Sequence, residues 1–245
     1  VASLATLSLG AIWTSCSPDF GVQGVLDRFG QTNPKVLVAA HSAQYNNKSI
    51  DLTDRVNDLL SELPSITASI VFLGACPDEI SGLIYRPGCR VVDFDTAITG
   101  NHPLEFVATP FNHPGFILYS SGTTGVPKCI VHSQGGALIQ LVKEHRYHVD
   151  VKASERVFYY TTCGWMMWNW LLASLASKAC VVTFDGSPFV RGAKTLWTLC
   201  DQDQWHVFGT SAKYIAAIDK HGYQPREKHQ MKSLKVILST GSPLA

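Results

Sequence analysis

The residues best suited to chemistry stand in one run, Ser120-Ser121-Gly122-Thr123-Thr124-Gly125-Val126-Pro127-Lys128. Its glycines let the backbone turn sharply and approach a ligand closely. Its serine and threonine hydroxyls, with the backbone N–H groups between them, form a concave donor surface for an anion. Each charge-assisted hydrogen bond from such a surface contributes roughly 1.5–3 kcal/mol. Lys128 adds a mobile cation, which gains on the order of 4 kcal/mol beside a phosphate oxygen ~4 Å away at an effective dielectric of ~20. Gripping a polyphosphate is the chemistry these types and spacings support. The loop is not a Walker A motif, in which Lys directly follows the second Gly and precedes Ser or Thr. Here Val126 and Pro127 intervene and Cys129 follows.

Other candidates are weaker. The run Gly164-Trp-Met-Met-Trp-Asn-Trp170 reads as core by periodicity alone, yet it begins just after a strand end. Within it, a buried Asn169 would need a hydrogen-bond partner, for which a substrate keto group is one candidate. His145 and His148 have the spacing of a shared helix face. No third ligand stands nearby, so a non-metal role is expected and no metal-ligand set is assigned. His132, just past the loop, fits either a triphosphate contact or a structural place on a strand. Seven scattered cysteines, at 16, 76, 89, 129, 163, 180 and 200, include no C-x-x-C pair and read as free thiols in a reducing compartment. The absence of G-x-G-x-x-G counts against a dehydrogenase, and that of G-x-S-x-G against a hydrolase.

Strands and helices alternate around these residues. Strands are expected at 35–40, 66–73, 116–119, 156–161, 179–184, 207–208 and 234–239. Helices are expected from about residue 51 to Pro64, then at 134–148, 165–177, 193–200 and 212–220. The apolar start, Val1–Trp13, is shorter than a membrane span of ~20 residues and reads as a core helix. Residues 74–115 are rich in Pro, Gly, Asp and Asn and suggest a boundary between two lobes, 1–115 and 116–245. The alternation predicts an α/β fold with mostly parallel sheets covered on both faces. Ligands of such folds sit at the carboxyl ends of strands, here after Tyr119, Thr161 and Ser239. A formal net charge of +1, without a long basic run, favours neither nucleic acid nor an anionic membrane as partner.

Tyr119–Lys128 resembles the signature loop of the adenylate-forming superfamily, and the resemblance extends over essentially the whole chain. Most members carry Gly after the signature Lys. Cys129-Ile-Val-His-Ser133, together with Leu141-Val-Lys-Glu-His145, Gly164–Trp170, Ile12-Trp13, Ser17-Pro-Asp-Phe-Gly21 and Gly24-Val-Leu-Asp-Arg28, is similar to one subgroup, the acetoacetyl-CoA synthetases. The resemblance implies two stacked α/β lobes of an adenylate-forming N-terminal domain, truncated at both ends and without the C-terminal domain. It implies that Ser120, Ser121, Gly122, Thr123, Thr124, Gly125 and Lys128 hold the ATP phosphates, with Lys128 catalytic. By the same resemblance, Gly241, Ser242 and Pro243 lie against adenine, and Trp165, Met166 and Met167 line the acyl and coenzyme A pocket. The implied partners are acetoacetate, ATP with Mg²⁺, and coenzyme A, in the cytosol. The chain does not begin with Met, and the family's metal-binding Glu and C-terminal Lys are not matched within it. The fragment is therefore expected to be inactive alone. The alternatives are a ligase for acetate or propionate and a non-catalytic nucleotide-binding remnant.

Overall fold

The computed structural model describes residues 1–45, 48–73, 86–100, 103–120 and 125–243. The chain forms two compact units, which divide after Gln134. The strand ending at Tyr119 and the loop after it thus belong to the first unit, whereas the sequence suggested a boundary near residue 115.

In the first unit, β2 (Val36–Ala40), β5 (Ala68–Phe72) and β6 (Arg90–Asp93) form a parallel sheet. Helix α3 (Thr53–Glu62) carries Val56, Leu59 and Leu60 in one stripe, continued by Leu63 just past its end. Helix α2 (Val22–Thr32) contributes Val25 and Phe29 to the same core, together with Leu37 and Val71. Arg86 donates to the Leu60 and Leu63 carbonyls at the end of α3, where helix ends leave carbonyls in need of donors, and Leu63 also accepts from the Ile66 N–H. The opposite sheet face leaves Val36, Val38 and Phe72 exposed, so one face rather than two is covered within these residues.

A second sheet of this unit orders β1 (Trp13–Thr14), β7 (Pro114–Tyr119) and β8 (Cys129–Ser133). β1 runs parallel to β7 and β8 antiparallel to it. The expected core helix over Val1–Trp13 is corrected. Helix α1 spans only Ala2–Ser8, buries only Ser3, and gives way at Gly10, whose φ of +69° suits glycine. Trp13 then enters β1.

The second unit holds a parallel sheet in the order β10 (Cys180–Val182), β9 (Arg156–Tyr159), β11 (Val207–Ser211), β12 (Val236–Thr240). Alternate residues of its central strands supply two cores, which is why those strands read as continuous apolar runs. Val157, Tyr159 and Val207 face one core, with Leu141 of α5 (Gln134–Lys143) and Trp170 of α6 (Met166–Ala173). Phe158 and Phe208 face the other, with Leu196 and Trp197 of α7 (Thr195–Gln202) and Tyr214 and Ile218 of α8 (Ala212–Lys220). The helix expected over 134–148 is present, but its last turn, Glu144–His148, is π-helical. That turn buries His145 and exposes His148, so the two do not share a face.

Candidate functional site

The hairpin β7–β8 places the loop. Its ladder ends at the pair Tyr119–Cys129, and the next pair closes the loop's base. Ser120 N–H donates to the Lys128 carbonyl at 3.0 Å, and Lys128 N–H donates to Ser120 Oγ at 3.2 Å. Ser120 therefore spends its backbone donor on the hairpin and keeps only its hydroxyl proton for a ligand. Tyr119, half-buried against the core, is fixed by Thr14 Oγ1 at 2.8 Å from its hydroxyl. Desolvation raises the Tyr119 pKa, so the phenol stays neutral.

Gly125 adopts φ +111° with open space where a Cβ would stand, so conformation rather than crowding calls for glycine there. Lys128 is exposed, and among the described residues it forms no salt bridge. A carboxylate neutralising that ammonium would have ended the phosphate reading. Ser121, Gly122, Thr123 and Thr124 lie outside the described residues.

In the second unit, considered by itself, two segments carry predicted site residues, both at the carboxyl edge of its parallel sheet. After β9, the turn Thr162-Cys163-Gly164 leads to Trp165, which caps α6 with 56% of its surface exposed. Met166 is 42% exposed as well, an unusual outlay of large apolar surface at a strand end. Met167 packs against the core beside Trp170, so it backs the segment. Asn169 is buried, and neither end of its amide has a protein partner. Trp170 is packing: its indole N–H donates to Glu144 at 3.0 Å and its ring lies 4.2 Å from that of His145. His145 is fully buried, and desolvation lowers its pKa below the usual histidine value against the opposing backbone hydrogen bonds of Leu141 and Trp170.

After β12 comes Gly241-Ser242-Pro243, exposed, with Gly241 at φ +94°. Tyr159, which the sequence reading passed over, anchors this turn. Its hydroxyl lies 2.9 Å from Thr240 Oγ1 and 3.2 Å from the Thr210 carbonyl. The Tyr159 ring occupies the space above Gly209, where a Cβ would stand 2.0 Å from it. A glycine opposite a strand-terminal tyrosine was the available signal, visible only once the register was known.

Among the described residues no three His, Cys, Asp or Glu side chains gather to hold a metal ion. No described helix is long and apolar enough to cross a membrane.

The family model described as AMP-binding enzyme matches residues 1–245. The chain belongs to the AMP-binding enzyme family. Among its relatives, an acetoacetyl-coenzyme A synthetase of Rhizobium meliloti (strain 1021) is 48% identical, over 99% of this chain and 37% of its own length. A malonamoyl-CoA synthetase of Penicillium aethiopicum is 39% identical, over 100% of this chain and 36% of its own. The solved acetoacetyl-CoA synthetase from Streptomyces lividans superposes with a TM-score of 0.90 at 39% identity, over 99% of this chain and 36% of that one. The chain thus spans somewhat over a third of the length of these relatives, and it shares the fold of the Streptomyces lividans structure over that part.

Proposed function

We propose that the protein is an ATP-dependent ligase that activates acetoacetate as an acyl-adenylate and transfers it to coenzyme A. The observation that carries this reading is the state of Lys128. Its backbone is tied to Ser120 on both sides while its side chain is exposed and, among the described residues, free of any ion pair. Similarity along the whole chain to acetoacetyl-CoA synthetases supports the substrate.

In the first step a carboxylate oxygen of the acid bonds to the α-phosphorus of ATP. The bond between that phosphorus and its bridging oxygen to the β-phosphate breaks, and pyrophosphate leaves with the electron pair. The thiol sulfur of coenzyme A then bonds to the acyl carbon, AMP departs and the thiol proton passes to solvent. Lys128 serves the first step, because negative charge grows on the leaving pyrophosphate and a held cation stabilises it without reorganising. Ser120, through its hydroxyl, joins Ser121, Gly122, Thr123, Thr124 and Gly125 in gripping the phosphates. Gly241, Ser242 and Pro243 lie against adenine. Trp165 and Met166 line the acyl and pantetheine path, and Met167 supports them. Mg²⁺ is expected with the triphosphate, although the described residues contain no ligand set for it. The free cysteines among the described residues suit a reducing cytosol.

Acetoacetyl and malonamoyl groups both carry a carbonyl β to the carboxyl carbon. Asn169, buried with its amide unpartnered, is the side chain we assign to that carbonyl. A site built to hydrogen-bond such a group rejects acids that lack it, because its own polar group is then left unpaired. ATP–pyrophosphate exchange with acetoacetate, malonamate, butyrate, propionate and acetate tests this. Acetoacetate should exceed butyrate by about 10²-fold or more, and Asn169→Leu should erase most of that preference. Equal exchange with acetate or propionate would replace the substrate assignment. No exchange with any acid would favour the non-catalytic reading.

A further inference from the structure

The loop's second arm is held from outside the hairpin by one side chain. Gln31, in the last turn of α2, donates through Nε2 to the Pro127 carbonyl at 2.8 Å and to the Asp27 carbonyl of its own helix at 2.6 Å. Its Oε1 lies 3.6 Å from Cys129 Sγ, in line to accept the thiol proton. Two donors and one acceptor thus all find partners, and two of those partners flank Lys128.

These contacts complete a pattern that Ser120 leaves unfinished. Ser120 takes the N–H and the C=O of Lys128 itself. Gln31 takes the carbonyl of the residue before and reaches the side chain of the residue after. The Pro127–Lys128 peptide is therefore held at both its polar ends, by Gln31 at the oxygen and by Ser120 at the nitrogen. Helix α2 is a firm base for this, since Val25 and Phe29 are buried in the core of the same unit. Among the described residues nothing comparable restrains the Lys128 side chain, which leaves the backbone from a fixed root.

We infer that Gln31 is a positioning residue for Lys128: it fixes the direction in which the ammonium leaves the backbone and so presets it for the phosphates of the nucleotide. The inference rests on the phosphate role assigned to Lys128 above. It concerns a residue 96 positions upstream of Pro127, on a different element, with no part in the signature run.

The test uses the protein as its gene encodes it, in two variants. Gln31→Leu removes every polar contact. Gln31→Glu keeps the shape but sets an oxygen against the Pro127 carbonyl. ATP–pyrophosphate exchange is measured against ATP and against the acid separately, beside equilibrium binding of inorganic tripolyphosphate. Both variants should raise KM for ATP about five- to tenfold, the loss of one or two hydrogen bonds, and weaken tripolyphosphate similarly. KM for the acid should stay unchanged. In a Lys128→Ala background the same substitutions should have no further effect on either readout, because the root then positions nothing. Equal loss against ATP and acid, or full additivity with Lys128→Ala, would make Gln31 merely structural and overturn the inference. Unchanged kinetics in active enzyme would also overturn it while leaving the proposed reaction standing. A wild-type protein that neither exchanges nor binds tripolyphosphate would instead remove the phosphate role, and the inference with it.

Discussion

Tyr159 Oη stands 2.9 Å from Thr240 Oγ1, so the end of β9 holds the residue that leads into Gly241-Ser242-Pro243. The contact depends on Gly209 between them, because no side chain fits beneath the Tyr159 ring. Gly209→Ala should push the ring off β11 and destabilise the second unit by about 1–3 kcal/mol, the usual cost of overpacking. Tyr159→Phe keeps the ring and loses only the hydroxyl, and should cost about 1 kcal/mol. Urea unfolding measures both. Nucleotide affinity should fall in both if the turn lies against adenine. A Gly209→Ala protein as stable as wild type would contradict the packing described.

Gly125 has room for a side chain and a backbone that does not favour one. Gly125→Ala should strain the loop by about 1–3 kcal/mol, as sparsely populated backbone regions do. Gly125 and Val126 are exposed, so the strain should be relieved by local rearrangement rather than by unfolding. The expected result is a raised KM for ATP with little change in melting temperature.

His145 is buried, and desolvation, the leading cause, lowers its pKa below the usual value despite the opposing backbone hydrogen bonds of Leu141 and Trp170 and the pull of Glu144. The unfolded chain, with its histidine pKa near ~6.5, therefore takes up that proton first as the pH drops. The stabilising share is whole above the unfolded value and is lost as the pH falls below it toward the folded one. Wild-type protein should accordingly melt earlier at pH 5.5 than at pH 7.5, by a larger margin than His145→Leu. Parallel pH profiles of the two proteins would show that His145 does not carry the effect.

Burial pushes the Cys200 thiol up to about 12, with the Asp201 carboxylate adding to the shift, and Cys200 is 1% exposed. Cys180 is exposed on β10. Brief treatment of native protein with iodoacetamide should label Cys180 and spare Cys200, read by peptide mass. Labelling of Cys200 at the rate of Cys180 would mean that the core around Trp197 and Trp205 opens readily.

Much of this was legible in the residues because the signals were local. The stripe Val56, Leu59, Leu60 specified α3, and the apolar runs around Val157 and Val207 specified buried parallel strands. The loop at Ser120–Lys128 suggested its proposed chemistry through residue types alone. What could not be read depended on contacts distant in sequence. The antiparallel turn of β8 against β7, the anchoring of Thr240 by Tyr159 and the grip of Gln31 on Pro127 each join residues that no periodicity relates. Trp13 misled for a different reason: the helical pattern of the first residues was genuine, but Gly10 ends it and the backbone of β7 recruits Trp13 into a sheet.

The central claim is that Lys128 is a preset cation for the polyphosphate of ATP. ATP–pyrophosphate exchange by the Lys128→Ala protein, as its gene encodes it and with acetoacetate as the acid, tests it most directly. The expected result is a fall of about 10²–10³ in rate, the loss seen when one pre-organised donor to developing charge is removed, with the fold intact by circular dichroism. Exchange at the wild-type rate would contradict it.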